Sequence, residues 1–326
     1  MVGDKAMSGL CIGAIGELLV EFVCMEQDGR NLRAASYVGP FPSGAPGIFI
    51  DQAARIAAGL GGRAVFAGAV GNDAFGTVIL NRLAASGVDL ATIAVVKGVP
   101  TGSAFVSYNA DGSRDFVFNI AHSAAAHLPE IPATAAAFLA RGITVLHISG
   151  SMLADPAMRA RGIALCETLQ DQGVAISIDP NIRTELIEDA GYLDGIRRLM
   201  ALATYVLPSD ADVALLFPGE PFDLWSGRLL DQGARAVVLK CGSNGCIGRD
   251  ATGTHSLPAH PVTVVDPTGA GDCFCATFVT LMAAGQPLST ALARANAAGA
   301  LAVTQLGPMQ GNSTLATIDS LLAGHP

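Results

Sequence analysis

Short runs of apolar residues alternate with amphipathic segments along most of the chain. Apolar runs that fit strands with both faces buried cover residues 10–23 (broken at Gly13 and Gly16), 64–70, 144–148, 175–179, 205–207 and 236–240. Segments whose apolar residues recur three and four positions apart predict helices over 51–60, 75–85, 156–172, 191–202, 288–304 and 313–322. Regular alternation of buried strands and helices predicts a mainly parallel sheet with helices on both faces.

The segment from 101 to 119 departs from this rhythm. Its apolar and polar residues alternate around Asp111-Gly112, a strong signal for a β-hairpin. The hairpin and part of the N-terminal region do not fit a parallel core, so we expect them to form a small β-element that acts as a lid. Because repeats and linkers are absent from the sequence, we predict one domain over 1–326, with the lid formed by about 17–42 and 99–121.

Composition narrows the possible partners and compartments. Hydrophobic residues make up 51% and charged residues 14% of the chain, which suits a large buried core. A net charge of −9 disfavours nucleic-acid binding, and no apolar run is long enough to cross a membrane. Seven cysteines without a C-x-x-C pair indicate reduced, mostly buried thiols. With no basic and apolar leader at the N-terminus, we expect a cytoplasmic protein.

The segment 260–285 is the strongest candidate for chemistry, because the chain lacks the G-x-x-x-x-G-K-[ST], G-x-S-x-G and H-E-x-x-H motifs. A predicted strand over 262–265 leads into the small residues of 266–272, and a helical pattern follows. Backbone N–H groups at such a helix start can hold an anion, and Asp272 in the first turn can accept a proton from a substrate hydroxyl. The residues alone leave a second interpretation open, in which Asp272 only favours the helix end and the glycines only form a turn.

The run 266–272 resembles the Asp-Thr-x-Gly-Ala-Gly-Asp hallmark of the ribokinase-like, or PfkB-type, carbohydrate kinases, with Pro267 in the second place. Further stretches resemble motifs of that family in the same order, namely 43–46, 68–76, 100–102, 179–183, 239–245 and 295–300. The resemblance covers nearly the whole chain. It implies the ribokinase-like fold, a three-layer α/β/α sandwich with a mainly parallel central sheet and a small β-lid.

The resemblance also implies roles for particular residues. Asp272 corresponds to the base, and the N–H groups of Gly269, Ala270 and Gly271 form the anion hole. Residues implied to bind ATP are Lys240, Gly242, Gly245, Thr268, Gly269, Gly271, Asn296 and Gly299. The family's N-x-x-E element, which organises Mg²⁺, is here Ser209 to Asp212, so Asp212 is expected to reach the metal through water. A monovalent cation such as K⁺ is common in the family and is expected here.

Residues implied to contact the sugar are Glu17, Ser43, Gly44, Ala45, Asp51, Gln52, His122 and Arg183. Asp51 and Gln52 are included because Ile48 stands where many members carry Asn, and both lie near it on one helical face. Each assignment has an alternative: Asp51 caps a helix or faces solvent, and Arg183 forms a surface ion pair. A structural role is also open for His122 and for one of Glu17 and Glu21.

The function implied is an ATP-dependent sugar kinase that phosphorylates a hydroxyl of a ketohexose or a sugar acid. The resemblance is nearest to fructokinases, tagatose kinases and ketodeoxygluconate kinases. A nucleoside kinase on the same fold and a catalytically silent sugar-binding regulator are the alternatives. The expected partners are the sugar, ATP and a second copy bound through the lid, without nucleic acid or membrane.

Overall fold

The computed structural model describes residues 9–28, 31–110, 113–184 and 191–324. Their strands are β1 (Cys11–Ile15), β2 (Leu19–Cys24), β3 (Tyr37–Ser43), β4 (Arg63–Gly71), β5 (Val88–Asp89), β6 (Ile93–Val96), β7 (Gly102–Tyr108), β8 (Arg114–Asn119), β9 (Val145–Ser149), β10 (Ala175–Asp179), β11 (Tyr205–Val206), β12 (Ala236–Lys240), β13 (Cys246–Asp250) and β14 (Gly253–Leu257). Their α-helices are α1 (Ala45–Ala58), α2 (Ala74–Ala85), α3 (Ile131–Ala140), α4 (Pro156–Gln170), α5 (Gly191–Leu202), α6 (Asp210–Leu216), α7 (Phe222–Asp231), α8 (Ala270–Ala283), α9 (Leu288–Ala302) and α10 (Leu315–Leu322).

The main sheet has the strand order β14-β13-β12-β11-β10-β9-β1-β4-β5, and β6 also pairs with β4. From β12 to β4 all neighbouring strands are parallel, whereas β13 and β14 extend the sheet in antiparallel pairs. Parallel neighbours need crossover connections, and helices provide most of them. The predicted mainly parallel sheet is therefore confirmed.

Helices cover both faces of the main sheet, which gives the predicted three layers. On one face, α1, α8, α9 and α10 pack over residues such as Ile12 and Phe66. On the other face, α3, α4, α5 and α7 pack over residues such as Ile15 and Val65. Successive side chains of a strand point to opposite faces, so a strand between two helical layers is apolar at every position. This explains why the strands appear in the sequence as continuous apolar runs.

A second sheet, called the small sheet below, has the order β3-β2-β7-β8. β2 pairs with β3 and β7 pairs with β8 in antiparallel fashion, but β2 and β7 run parallel, with Leu19 opposite Gly102. Glu21 lies opposite Ala104, so Glu21, Ala104 and Tyr108 share one face. The turn at 111–112 that signals the hairpin lies outside the described residues. That the small sheet acts as a lid, and that the chain is one domain, stay predictions.

Two sequence predictions in the fold need correction. The segment 262–265 is not a strand: it pairs with no strand in the part of the chain that the structure describes, and Val264 and Val265 are 60% and 53% exposed. The neighbouring sheet edge is occupied instead by the hairpin of β13 and β14, whose polar, half-exposed residues gave no apolar run. The predicted strand over 10–23 is two strands, β1 and β2, which belong to different sheets.

Other expectations concern membranes and cysteines. None of the helices that the structure describes has the length and apolar character needed to cross a membrane. All seven cysteines fall within the described residues, where they are free thiols, and only Cys241 is not buried. The prediction of reduced, mostly buried thiols is therefore confirmed.

Candidate active site

The carboxyl ends of the parallel strands bring polar side chains from distant parts of the chain to one edge of the main sheet. Glu17 follows β1, Ser151 follows β9, Asp179 ends β10 and Lys240 ends β12. The Ser151 hydroxyl donates to Glu17 Oε1 over 2.8 Å, which ties two of these ends together. Open α/β sheets bind their ligands at this edge.

Helix α8 begins at the same edge. Gly269 precedes its first residue in a left-handed conformation with φ of 84°. A Cβ atom at Gly269 would lie 2.4 Å from the Pro308 carbonyl oxygen, so both the dihedral and the space require glycine there. The N–H groups of the first helical turn have no partner inside the helix and attract negative charge. Ala270 and Gly271 thus lie where their N–H groups can be offered to an anion, and the binding of an anion there stays a prediction.

A buried ion pair stands beside this helix start. The Lys240 ammonium donates to Asp179 Oδ2 and lies 3.4 Å from Cys275 Sγ. Burial alone would lower the pKa of Lys240, but the Asp179 carboxylate outweighs it and raises the pKa above its ordinary value. A Cβ atom at Gly271 would be 3.5 Å from Lys240 Nζ, so a fixed positive charge lies next to the N–H groups.

Asp272 is the third residue of α8 and is half-buried at the centre of these charges. Burial raises the pKa of its carboxyl to about 7; Asp179 acts in the same direction, while Lys240 and Arg183 oppose the rise. A carboxylate with a pKa near neutrality is a suitable proton acceptor at physiological pH. Burial raises the pKa of Glu17, and the positive charge of Arg183 opposes that rise as it does at Asp272.

The small sheet and β1 add two buried carboxylates. Glu17 is 8% and Glu21 is 3% exposed, and one oxygen of each, Glu17 Oε2 and Glu21 Oε1, has no hydrogen-bond partner among the described residues. Ser43 donates to Glu21 Oε2 over 3.3 Å. Burial raises the pKa of Glu21 to about 7, and the nearby Asp266 adds to the rise. Unpaired buried acceptors of this kind are rare and suit the hydroxyl groups of a sugar.

We expect Glu21→Gln to weaken the pH dependence of stability. The pKa of Glu21 is about 7 in the folded protein against a usual 4.5. The folded state therefore binds the proton more tightly, and the free energy of unfolding falls as pH rises from about 4.5 to about 7. Because Gln cannot ionise, the variant should gain up to roughly 3 kcal/mol over the wild type across this window. Urea unfolding at about pH 4 and about pH 8 gives the free energy of unfolding of both proteins. If this free energy changed by the same amount between the two pH values in wild type and variant, the expectation would be wrong.

The predicted sugar contacts of Asp51 and Gln52 are corrected by the structure. Both side chains are fully buried. Asp51 accepts hydrogen bonds from Arg55, Arg82, Ser86 and Asn312, so its carboxylate is paired within the protein. Gln52 donates to Thr277 and Ser313 and accepts from the Ser313 amide. They join α1 to α2, α8 and the segment before α10, which sequence spacing could not distinguish from a ligand contact.

Gly44 and Ala45 begin α1 close to the two carboxylates. Gly44 has φ of 100°, and a Cβ atom there would lie 2.6 Å from the Glu17 carbonyl oxygen. His122 is exposed and lines a cavity of about 540 Å³ with residues such as Asp73 and Phe75, which follow the carboxyl end of β4. The structure therefore brings together Glu17, Ser43, Gly44, Arg183 and Asp272, and a contact of His122 with the sugar stays a prediction.

Residues predicted for the nucleotide and the metal occupy four places. Gly242 and Gly245 form the turn after β12, and Thr268 precedes Gly269. Asn296 donates to the Pro258 carbonyl over 2.7 Å, and Gly299 faces the Ala270 carbonyl where α9 approaches α8. Asp212 is buried and caps α6, accepting from the Ser209 amide and hydroxyl and from the Ile182 amide. Their roles toward ATP and Mg²⁺ stay predictions.

Sequence reasoning missed three residues of this region. Asp179 lies in the recognised stretch 179–183 but was given no role, and its pairing with Lys240 needed the fold to be seen. Asp266 begins the glycine-rich run and is fully buried. Tyr108 donates from the small sheet to Asp266 Oδ1 over 2.5 Å. The alternation of β7 could have placed Tyr108 on the face of Ala104, but not its contact with a residue more than a hundred positions away.

Comparison with known proteins gives concordant matches. The sequence model of the pfkB family carbohydrate kinases matches residues 52–315. Fructokinase-2 of Zea mays is 31% identical over 95% of this chain and 93% of its own. An Escherichia coli chain provisionally called Ribokinase II, solved with ATP and Mg²⁺, is 36% identical with a TM-score of 0.87 over 97% of this chain and all of its own. A Vibrio cholerae fructokinase double mutant, solved with fructose, ADP and potassium, is 25% identical with a TM-score of 0.80 over 96% of this chain and 98% of its own.

Proposed function

The chain belongs to the PfkB family of carbohydrate kinases, and we propose that it transfers the γ-phosphoryl group of ATP to a ketohexose hydroxyl with Asp272 as the general base. The observation that carries the proposal is the position of Asp272. It stands in the first turn of α8, beside the N–H groups that follow Gly269 and close enough to the buried Glu17 carboxylate for the charge of Glu17 to raise the pKa of Asp272. Base, anion site and hydroxyl acceptors thus occur at one edge of the sheet.

In the proposed reaction, Asp272 takes the proton of the attacking hydroxyl as its oxygen bonds to the γ-phosphorus. The bond from that phosphorus to the bridging oxygen breaks, and ADP leaves. The N–H groups of Gly269, Ala270 and Gly271 stabilise charge on the transferred group, and the Lys240 ammonium adds to the positive potential. Burial of the carboxyl keeps its pKa near 7, so it is ionised often enough to act and basic enough to accept the proton.

Mg²⁺ bound with ATP would neutralise phosphate charge. Among the described residues, no three or more His, Cys, Asp or Glu side chains are grouped so that they could hold a metal ion by themselves. This fits Mg²⁺, which is usually held by substrate phosphates and water with few protein ligands. We propose that Asp212 contributes through water, as the family resemblance implies. The K⁺ site and association of two copies through the small sheet stay predictions.

A ketohexose is the proposed acceptor because fructokinases recur among the relatives, including one solved with fructose. Glu17 and Glu21 each offer a buried oxygen that a sugar hydroxyl can satisfy. A sugar acid is the second candidate, because the planar guanidinium of Arg183 lies among the same side chains and suits a carboxylate.

A panel of acceptors tests this proposal. The purified protein is incubated with ATP and Mg²⁺ and with fructose, tagatose, ketodeoxygluconate, ribose or adenosine, and ADP release is measured. We expect a ketohexose to give a kcat/KM at least about tenfold above the others. If kcat/KM were highest with ketodeoxygluconate, the acceptor would be a sugar acid. If it were highest with adenosine, the protein would be a nucleoside kinase. Thermal stabilisation by a sugar without ADP release from any acceptor would favour the silent regulator.

A further inference from the structure

The carboxylate of Asp266 joins three parts of the chain. Its Oδ1 atom accepts from the Thr268 amide over 2.9 Å and from the Tyr108 hydroxyl over 2.5 Å, and its Oδ2 atom accepts from the Gly307 amide over 2.9 Å. Thr268 belongs to the glycine-rich loop, Gly307 to the segment after α9, and Tyr108 to β7 of the small sheet. We call this group of four residues the Asp266 junction.

The centre of the junction is buried. Asp266 has no exposed surface, so its two oxygen atoms depend on the hydrogen bonds that reach them from the protein. Hydrogen bonds to a carboxylate are shorter and stronger than those between neutral groups. The Tyr108 hydroxyl also lies 3.1 Å from Thr268 Oγ1, so one phenol contacts two residues of the loop that leads into α8. Burial and the Asp266 carboxylate both raise the pKa of Tyr108 above its usual value, which keeps the phenol protonated as a donor.

The loop is held from its other side as well. The amides of Val265 and Asp266 both donate to the Val303 carbonyl oxygen, and Gly269 packs against the Pro308 carbonyl. These contacts fix the loop to the segment after α9, which belongs to the main body. Tyr108 is the residue of the junction that comes from the small sheet. Its position therefore couples the small sheet to the start of α8.

From this geometry we infer that Tyr108 is a positioning residue, which acts through Asp266 and Thr268 to hold the anion-binding start of α8 and to align the small sheet above it. The inference rests on the proposed function for its catalytic consequence. It assigns Tyr108 no contact with the reacting atoms. The small sheet cannot move away from the main sheet without breaking the Tyr108–Asp266 bond, so that bond favours the arrangement in which Glu21 of the small sheet stays close to Asp266.

Tyr108→Phe removes the hydroxyl and keeps the ring. We expect kcat for sugar phosphorylation to fall by about tenfold, the scale of one hydrogen bond to a charged group, with KM for the sugar changed by less than about twofold. The amides of Thr268 and Gly307 should exchange their hydrogens about tenfold faster, because the carboxylate that holds them has lost its third partner.

Tyr37→Phe is the matched control. Tyr37 is a half-buried tyrosine of the same sheet, and its hydroxyl donates to Asn31 over 2.8 Å, away from the junction. We expect it to leave kcat within about twofold of wild type and the exchange at Thr268 and Gly307 unchanged. An equal loss of kcat in both variants, or unchanged exchange in Tyr108→Phe, would overturn the inference.

The two readouts separate this inference from the proposed function. If the wild type phosphorylates no sugar, the proposed function fails, while hydrogen exchange at Thr268 and Gly307 still decides the role of Tyr108. If Tyr108→Phe does not fold, Thr268→Val removes the hydroxyl contact of the same junction and is measured in its place. Faster exchange at Gly307 in that variant supports the inference, and wild-type exchange contradicts it.

Discussion

Asp272→Asn is expected to lower kcat by two to four orders of magnitude (~10²–10⁴-fold) while leaving the fold intact, the scale of a lost general base. Asn keeps the size of the side chain but cannot take the hydroxyl proton. Stability should not suffer: burial raises the pKa of the native carboxyl, so the ion is less favourable in the folded protein than in the unfolded chain at alkaline pH. Steady-state ADP release and thermal unfolding of the same preparation measure both effects.

A control for this variant is Asp223→Asn. Asp223 also lies in the first turn of a helix, α7, but its side chain is 81% exposed. Its replacement should leave kcat within about twofold of wild type. If Asp272→Asn retained near-wild-type turnover, the assignment of the base would be wrong even if sugar phosphorylation itself were observed.

The pH dependence of the wild type gives a second measure of the same group. Since Asp272 acts as the ionised base, kcat/KM should fall about tenfold per pH unit below its pKa of about 7. Glu21 has a pKa in the same range, so the profile must be repeated with Glu21→Gln. If kcat/KM of Glu21→Gln still falls below about pH 7, the group that titrates is Asp272. If the fall disappears in Glu21→Gln, the group that titrates is Glu21.

Asp51→Ala is expected to lower the free energy of unfolding by about 3–5 kcal/mol. The substitution leaves the guanidinium of Arg82 and the amide of Asn312 without their buried partner. Removing the fully buried carboxylate of such a pair costs more than losing a surface pair, because the Arg82 side chain is only 20% exposed and water replaces its lost partner poorly. Urea unfolding followed by circular dichroism measures the loss.

Asp319→Ala serves as the comparison for Asp51→Ala. Asp319 pairs with Arg294 over 2.8 Å, but its side chain is 48% exposed, so we expect a change within about 1 kcal/mol. If Asp51→Ala were as stable as Asp319→Ala and had a higher KM for the sugar, the result would contradict the structural role of Asp51. It would support the sugar contact that the sequence predicted for Asp51.

Most of the main sheet could be predicted from the sequence because its strands are buried on both faces. The run 175–179 has the predicted bounds, and the helix predicted over 191–202 ends at the predicted residue, since burial leaves a clear pattern of apolar residues. Helix α1 begins at Ala45, before its predicted start at 51, with Pro46 in its first turn. The hairpin of β13 and β14 was missed because its residues are partly polar and partly exposed.

The sequence predicted the candidate active site only where its residues lie close together in one short stretch of the chain. The run 266–272 holds the anion site and Asp272 within a few residues, so local spacing was sufficient. Asp51 and the Tyr108–Asp266 contact depend on which helix or strand packs nearby, and a periodic pattern does not contain that information. A polar residue on an apolar helix face is compatible with a ligand contact and with a buried ion pair, and only the packing of α2 against α1 distinguishes them.

The parallel pairing of β2 with β7 has a consequence for how the chain folds. Leu19 lies opposite Gly102, and the intervening chain contains α1, α2 and several strands of the main sheet. Two short antiparallel pairs, β2 with β3 and β7 with β8, can form from local contacts, whereas the pairing of β2 with β7 joins positions far apart in sequence. Proteins rich in such distant contacts fold more slowly. We therefore expect the pairing of β2 with β7 to form after β1 and β4 have paired, and the small sheet not to fold when it is excised from the core beneath it.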